Sequence, residues 1–297
     1  MMTVEPRTLR TLPRAWPPER ILILYNPTVG RSAELASEIF DFLAGQPNLV
    51  PTRTTIADAA QDDGAAGQDM AIVLGGDGSM LLTGAMAARH GTPLLGINLG
   101  RLSFLGEVEP AGWLEALQHV LAGQCWLEER MMLHVEHRRE GQLLGSYEAL
   151  NEAVVGRGAI ARPVRLRTMI DGGELTTYVA DGLIMATPTG STAYALAVGG
   201  PILPPELRNI LLVAIAPHLS INHAIVLPQG AAVEVVVRTD HQAMLSADGA
   251  NSVPLQDGDA VGVRMSDFTT CFVRMRSRDY FYTSLMQRMQ QNPSADK

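Results

Sequence analysis

The chain has 297 residues, of which 46% are hydrophobic and 18% charged, and its formal net charge at pH 7 is −8. This composition is that of a globular protein of one or two domains, and it excludes a disordered chain. The acidic balance disfavours a nucleic-acid-binding groove. No apolar run approaches the roughly 20 residues that a membrane-spanning helix needs, so neither nucleic acid nor a membrane is expected as a partner.

The two cysteines and the N-terminal segment bear on the cellular compartment. Cys125 and Cys271 stand far apart and outside any metal-ligand spacing. A structural zinc site is therefore not expected, and a reducing compartment, the cytoplasm, fits best. Residues 1–20 contain arginines and prolines but no apolar segment, so they do not resemble a secretory signal and are predicted to form a flexible arm.

The first part of the chain alternates strands with helices. Apolar runs at 21–25, 71–74 and 93–97 are typical of buried strands. Segments at 32–45, 80–90 and 110–123 place apolar residues at helical spacing. Repeated strand–loop–helix units of this kind predict a parallel sheet covered by helices.

After about residue 130 the periodicity changes. Polar and apolar residues alternate on both sides of Glu140-Gly141 and of Asp171-Gly172-Gly173, which are typical turn sequences. The runs at 233–239 and 260–265 continue the strand pattern, and the sequence therefore predicts an antiparallel β domain. A helix-like stretch interrupts it at 193–200, and residues 279–291 form a second, amphipathic one.

The tetrapeptide GGDG at 75–78 joins a predicted strand to a predicted helix. Glycines lack a Cβ atom, permit positive φ and let backbone N–H groups approach an anion, and a helix N-terminus favours phosphate. A carboxylate repels phosphate, so Asp77 needs another role. It could accept a proton from a nucleophile, hold a magnesium ion, or cap the helix.

Two further segments carry polar residues where the chain is otherwise apolar. The stretch DGLIMATPTGSTAYALAVGGPI at 181–202 leads a strand into a hydroxyl-rich loop, which could bind a ligand or simply cap a helix. Asp181 could be a turn residue or a partner for a sugar hydroxyl. Asn151 and Glu152 are adjacent in an apolar run, so they face opposite sides of a strand and at least one is expected to face a cavity. Ligand hydroxyls or neighbouring backbone could supply their partners.

In this order and spacing, the three segments resemble the motifs of the NAD kinase family. Weaker similarities are NP at 26–27, GRLSFLGE at 100–107, PH at 217–218 and SADG at 246–249. The resemblance implies an α/β plus β fold: an N-terminal Rossmann-like domain and a C-terminal β-sandwich-like domain, with the C-terminal helix returning to the N-terminal domain. The expected division is an arm at 1–20, the Rossmann-like domain with GGDG at 21–128, an NAD-binding β-rich domain at 129–266, and a segment at 267–297 that packs on the N-terminal domain.

The resemblance also implies the reaction and its residues. Members transfer the γ-phosphate of ATP, or a phosphate of polyphosphate, to the 2′-hydroxyl of the adenosine ribose of NAD. They use magnesium or another divalent cation and form homodimers or homotetramers. By position, Asp77 is the general base, Gly76 and Gly78 form the phosphate turn, and no protein ligand to the metal is assigned. The residues implied in dinucleotide binding are Asn151, Glu152, Arg162, Asp181, Ser191, Thr192, Ala193, Tyr194 and Ala197.

The chain also departs from the family's motifs. In GxLGFLT, Ser103 stands for glycine and Gly106 for threonine. Asp248-Gly249-Ala250 stands where several bacterial members have Asp-x-Gln, and Val179 where some NAD-selective members have arginine, which leaves NADH open as an acceptor. Two alternatives compete with an NAD kinase: a GGDG-containing lipid or sugar kinase, and a catalytically silent NAD(P)-binding regulator. A lipid or sugar kinase would not need the 151–152 pair or the PTGSTAY loop. A silent regulator would not need Asp77.

Overall fold

The computed structural model describes residues 16–100, 103–218, 223–277 and 279–290. These residues form two compact units. Unit 1 combines the described parts of 1–129 and 270–297, and unit 2 is formed by those of 130–269. Most of the predicted flexible arm lies outside the described residues.

Unit 1 is built on a parallel sheet. Its strands and helices are β1 (Arg20–Tyr25), α1 (Ser32–Ala44), β2 (Val50–Thr55), α2 (Ile56–Gln61), β3 (Met70–Gly75), α3 (Asp77–Ala88), β4 (Leu94–Asn98), α4 (Trp113–Leu121) and, after unit 2 in the sequence, α6 (Tyr280–Gln290). The strand order is β2-β1-β3-β4, with all neighbours parallel. The last strand of the chain, β16 (Ala260–Arg274), joins β4 in parallel at the pair Phe272 and Leu94.

The core of unit 1 follows the apolar pattern of its sequence. Every residue of β3 and of β4 is buried, as expected of parallel strands covered on both faces. The short strand β2 and helix α2 were not predicted, because their sequences are polar and partly exposed. At the end of the chain, Tyr280, Phe281 and Leu285 of α6 are buried in the same unit. The predicted return of the C-terminal helix to the N-terminal domain is confirmed.

Unit 2 contains two antiparallel sheets. Its elements are β5 (Trp126–Arg139), β6 (Gln142–Ala149), β7 (Glu152–Arg157), β8 (Val164–Ile170), β9 (Gly173–Ala180), β10 (Gly182–Ala186), α5 (Tyr194–Ala197), β11 (Asn209–Ile215), β12 (Ile225–Pro228), β13 (Val233–Arg238), β14 (Ala243–Ala247) and β15 (Asn251–Leu255). One sheet has the order β12-β11-β10-β7-β14-β15. In the other, β16, β13, β8 and β9 are successive neighbours, and β5 pairs with β16 and β6. Apolar residues of both sheets form one core, so the sandwich-like fold is confirmed.

Tight hairpins join several of these strands. Glu140 and Gly141 have φ of 50° and 80°, and Asp171 and Gly172 have φ of 51° and 80°. Two successive residues with positive φ are the signature of the type I′ turn that matches the twist of a hairpin. Both predicted turns are therefore confirmed. The helix-like stretch at 193–200 is shorter than predicted, since α5 has only four residues.

None of the helices in the described part of the chain is long and apolar enough to cross a bilayer.

Candidate active site

The GGDG segment forms the junction between β3 and α3. Gly75 is the last residue of the strand, and a Cβ there would lie 2.6 Å from the Cβ of Ser79. Gly76 is the N-cap and is extended, with φ of −96° and ψ of −170°. The expectation that these glycines provide positive φ is wrong. At Gly76 and Gly78, however, a Cβ would meet no atom of the described residues within 4 Å, so these residues leave open space at the helix N-terminus.

Asp77 does not cap the helix. It is the first residue of α3, and the N-cap, Gly76, makes no side-chain capping bond. The carboxylate instead turns to the loop that follows β4. Its Oδ2 accepts from the N–H of Phe104 (2.9 Å), and its Oδ1 accepts from the N–H of Leu105 (3.1 Å) and from the hydroxyl of Ser103. The capping interpretation is therefore wrong, and the carboxylate is presented at the turn by three donors.

A buried ion-pair network supports that loop from the other side. The guanidinium of Arg274 donates through Nη1 to the carbonyl of Leu105 (2.8 Å) and through Nε to Glu128 (2.8 Å), and Nη1 lies 3.2 Å from Glu107. The Arg274 side chain is fully buried. Burial opposes its charge, but Glu128 and Glu107 outweigh this and raise the pKa of Arg274. The loop is thus fixed between Arg274 and Asp77.

In unit 2, Asn151 and Glu152 lie at the start of β7 and are held by Asp248. The Asp248 carboxylate accepts from the N–H groups of Leu150 (2.7 Å), Asn151 (2.8 Å) and Glu152 (3.0 Å). Asp248 has φ of 50° and Gly249 φ of 70°, another pair with positive φ. This turn joins β14 to β15 and brings a carboxylate from 96 residues away to the predicted dinucleotide residues.

The side chain of Glu152 is left with an unsatisfied oxygen. Its Oε2 is buried and has no hydrogen-bond partner among the described residues. Burial, together with the nearby charge of Asp248, raises the pKa of Glu152 to about 7. A buried carboxylate without partners is unfavourable, and such groups concentrate where a ligand completes the bonding. Of the two alternatives left open for this side chain, backbone partners do not satisfy Oε2, and a ligand hydroxyl would.

The loop that follows β10 packs on the same residues. The Thr187 hydroxyl donates to the carbonyl of Leu150 (2.6 Å) and accepts from the N–H of Gly190 (3.1 Å). A Cβ at Gly190 would lie 2.6 Å from the carbonyl carbon of Asn151, so only glycine allows this close approach. Gly190 is therefore needed for the contact between the PTGST loop and the 150–151 segment. Helix capping by this loop does not explain the glycine.

The predicted binding residues of this loop differ in accessibility. Ser191 is fully buried, and its hydroxyl donates to the carbonyl of Pro188 (2.6 Å) and accepts from the N–H of Leu203 (2.9 Å). Its side chain is thus occupied in holding the loop. Tyr194 and Ala197, at i and i+3 of α5, are exposed, and Thr192 and Ala193 are half-buried. These four residues are the ones in the loop that a ligand can reach.

Asp181 and Arg162 stand apart from this cluster. The Asp181 carboxylate forms an ion pair with Nε of Arg157 at 3.2 Å, and its carbonyl accepts from the Arg157 N–H at 2.9 Å. Arg162 is exposed in the segment between β7 and β8, where its N–H donates to the carbonyl of Ile160 (2.8 Å). The structure gives Asp181 a charged partner that the sequence did not predict. It gives no contact between Arg162 and the other predicted residues.

Comparison with known proteins gives a consistent result. Residues 45–125 match the profile of the ATP-NAD kinase N-terminal domain, and residues 150–275 match that of the ATP-NAD kinase C-terminal domain. An NAD kinase of Chloroflexus aggregans is 40% identical over 276 residues, which cover 92% of this chain and 99% of that protein. The chain belongs to the family of NAD kinase enzymes.

Solved structures of NAD kinases share the fold. The crystal structure of yeast NADH kinase complexed with NADH superposes with a TM-score of 0.80 at 24% identity, covering 93% of this chain and 88% of that one. That of an NAD kinase from Archaeoglobus fulgidus in complex with ATP gives a TM-score of 0.72 at 25% identity, covering 92% and 100%. The family membership removes the lipid or sugar kinase alternative and leaves NAD as the substrate class.

The sequence did not predict that three residues of this NAD kinase support the candidate site. Ser103 was noted only as a departure from the family motif, Asp248 only as part of an uncertain one, and Arg274 not at all. Their partners lie 26, 96 to 98 and 146 or more residues away in the chain. For Arg274, the only available sequence signal was a charged residue at the end of the apolar run CFV at 271–273.

Proposed function

We propose that this NAD kinase transfers the γ-phosphate of ATP to the 2′-hydroxyl of the adenosine ribose of NAD, with Asp77 as the general base. The observation that carries this proposal is the placement of Asp77. Its carboxylate stands on the first residue of α3, beside two glycines that leave open space at the helix N-terminus.

The helix N-terminus suits the phosphates of the donor. The first N–H groups of an α-helix have no partner within the helix and carry a partial positive charge. α3 has 12 residues and begins directly after a strand, so its dipole points to the end of the sheet. With no Cβ in the way at Gly76 and Gly78, a phosphate can approach these N–H groups closely.

The carboxylate of Asp77 acts on the phosphate acceptor, the ribose 2′-hydroxyl of NAD. The ribose O2′ attacks the γ-phosphorus, the bond from that phosphorus to the bridging oxygen breaks, and ADP leaves. The proton on O2′ passes to Asp77 as attack develops. Phosphoryl transfer depends mainly on positioning and charge neutralisation, and a general base contributes typically 10²- to 10⁴-fold to such a step.

Unit 2 supplies the dinucleotide residues in this proposal. The unsatisfied Oε2 of Glu152 accepts a ribose hydroxyl of NAD. Asn151 would contact the dinucleotide through its side-chain amide, and Asp181 would lie near the nicotinamide end. The accessible residues of the loop and of α5 would also contact the dinucleotide: Thr192, Ala193, Tyr194 and Ala197. Ser191 contributes through the loop conformation.

A divalent cation fits the site as a companion of the nucleotide. No cluster of three or more His, Cys, Asp or Glu side chains suited to a metal occurs in the described residues, and magnesium bound to nucleotides takes most of its ligands from phosphates and water. The nucleotide phosphates would therefore hold the cation, and no protein ligand to it is assigned. When bound, the cation neutralises charge on the transferred phosphate. We also expect a cytoplasmic enzyme that forms a homodimer or homotetramer.

The test is a coupled assay with defined substrates. The protein is incubated with magnesium, NAD or NADH, and ATP or polyphosphate, and the product is measured with an NADP-specific or NADPH-specific enzyme. We expect product with NAD and ATP. If the folded protein gives no product with all four combinations of acceptor and donor, the result would instead support a silent NAD(P)-binding regulator. Activity with polyphosphate or NADH would extend the donor or acceptor range.

A further inference from the structure

The two positions at which the 100–106 segment departs from the family motif are in direct contact. The N–H of Gly106 donates to the hydroxyl oxygen of Ser103 at 2.6 Å. A Cβ at Gly106 would lie only 2.8 Å from that oxygen, 3.0 Å from the Cβ of Asn98 and 3.2 Å from the Cβ of Ser103. The side chain of Ser103 therefore occupies part of the space that a larger residue at 106 would need. The serine at 103 and the glycine at 106 are therefore structurally linked: the larger side chain at one position goes with the smaller one at the other.

The hydroxyl of Ser103 has a fixed direction. Its oxygen accepts from the N–H groups of Gly106 and, at 3.3 Å, of Leu105. A hydroxyl offers two acceptor lone pairs and one donor, so these two contacts leave the O–H to donate. It donates to Oδ1 of Asp77. The order of donation is Gly106 to Ser103 to Asp77.

This donation makes the two oxygens of Asp77 unequal. Among the donors of the described residues, Oδ1 accepts from Ser103 and from the N–H of Leu105, whereas Oδ2 accepts only from the N–H of Phe104. A carboxylate oxygen has about two lone-pair directions. Oδ1 is therefore saturated by the protein's own donors, and Oδ2 retains one acceptor position.

We propose that Ser103 is a positioning residue that saturates Oδ1 of Asp77 and so makes Oδ2 the atom that accepts the proton of the substrate hydroxyl. This rests on the proposed role of Asp77 as general base. Without the serine hydroxyl, Oδ1 also offers an open position, and the substrate hydroxyl can bind in a second, unproductive orientation. Ser103 acts on the orientation of the acceptor and leaves the affinity for NAD unchanged.

The experiment is a double-mutant cycle between Ser103→Ala and Asp77→Asn, measured as kcat and KM for NAD at saturating ATP. Because misplacement of a reacting group by about 1 Å can lower rates by about 10²-fold, we expect Ser103→Ala to lower kcat about tenfold. KM for NAD should change less than twofold. In the Asp77→Asn background, single-turnover rates should show no additional loss from Ser103→Ala.

The matched control is Ser37→Ala, which also removes a serine hydroxyl in unit 1. Ser37 donates to the carbonyl of Ala33 within α1, and the variant should keep wild-type kcat. Wild-type kcat in Ser103→Ala, or an equal loss with and without the Asp77→Asn change, would overturn the proposal. Near-full activity of Asp77→Asn alone would instead overturn the general-base role, so the two failures are distinguishable.

A second set of variants tests the structural link between positions 103 and 106. Gly106→Thr alone places side-chain atoms against Ser103 and should lower kcat more than Ser103→Ala does. Combining it with Ser103→Gly removes the serine side chain and should restore kcat at least threefold relative to Gly106→Thr. If the double variant is no more active than Gly106→Thr, the two positions are not coupled as we propose.

Discussion

Two aspartates hold the backbone of a distant segment in this NAD kinase, one in each unit. Asp77 accepts two N–H groups and a hydroxyl from the loop after β4, and Asp248 accepts three N–H groups at 150–152. Their surroundings differ. Asp77 lies beside open space at a helix N-terminus, whereas Asp248 lies beside the buried carboxylate of Glu152.

In the proposed mechanism, the difference separates a reactive carboxylate from a structural one. Around Asp77, the donors leave an acceptor position and nearby glycines leave room for a substrate. Asp248 is half-buried, and burial raises its pKa although its three N–H donors oppose this. Its function is to fix the segment that carries Glu152, where the unsatisfied oxygen is found. We therefore propose that the same bonding pattern serves chemistry in one unit and ligand placement in the other.

The largest expected effect is on turnover in Asp77→Asn. The amide cannot accept the ribose proton, so we expect kcat to fall by about 10²- to 10⁴-fold, or about 3–5 kcal/mol in activation free energy. The dissociation constant for NAD, measured by calorimetry, should stay within about threefold of wild type. A variant that retains most of its turnover would show that Asp77 is not the base.

The next effect is on stability in unit 2. Asp248→Ala leaves the N–H groups at 150–152 without their acceptor and should lower the free energy of unfolding by about 2–4 kcal/mol. Asp248→Asn keeps one acceptor oxygen and should cost less. All three tryptophans, Trp16, Trp113 and Trp126, belong to unit 1, so unfolding of unit 2 should be followed by circular dichroism. Equal stability of Asp248→Ala and wild type would contradict the structural role.

A third prediction concerns pH. The pKa of Glu152 is raised to about 7 in the folded protein, from an ordinary value of 4.5. The folded state therefore binds more protons than the unfolded state between these values, and stability falls as pH rises from about 4.5 to about 7. The full contribution is about 3 kcal/mol, because the pKa rises from 4.5 to about 7 and one pKa unit corresponds to about 1.4 kcal/mol. Glu152→Gln removes this contribution.

Urea unfolding at pH 5.0 and pH 8.0 measures how much Glu152 contributes to the pH dependence of stability. Wild type should lose more stability between these pH values than Glu152→Gln does, and the variant should be the more stable of the two at pH 8.0. Identical pH dependence in both proteins would show that Glu152 does not titrate in this range. Because other groups titrate in both proteins alike, only the difference between them is interpreted.

The smallest effect is expected at the exposed ion pair of Arg157 and Asp181. Exposed pairs contribute about 0.2–1 kcal/mol, so Arg157→Met should weaken NAD binding less than fivefold. Asp181→Asn should weaken it more if this carboxylate contacts the dinucleotide. If both variants bind NAD as wild type does, Asp181 serves only the pairing of β7 with β10.

The sequence predicted those features that depend on neighbouring residues. Apolar runs located β3 and β4, and the glycines at 141 and 172 located two hairpin turns, because strand burial and positive φ are local requirements. The edge strand β2 was missed. Its residues at 50–55 are mostly polar and partly exposed, so they show no apolar strand pattern. The strand forms because it pairs with β1.

The sequence named candidate site residues but could not predict their hydrogen bonds. Motifs identified Asp77 and Glu152, yet their hydrogen-bond partners come from segments far along the chain, and no local pattern encodes such contacts. The serine at 103 illustrates this. In the sequence it is a substitution in a loop, and only the folded chain shows that its hydroxyl reaches Asp77. Sequence also suggested positive φ for GGDG, where the open space matters instead.

The salt bridge of Arg274 with Glu128 and Glu107 has a consequence for biosynthesis. Unit 2 is continuous in sequence, whereas unit 1 is completed by residues from 270 onward. Domains generally fold as units, N-terminal parts first, while the ribosome is still adding residues. Here the loop that presents Asp77 gains its support only once Arg274 has been synthesised. We therefore expect the loop that presents Asp77 to be held in place only after residue 274 has been translated.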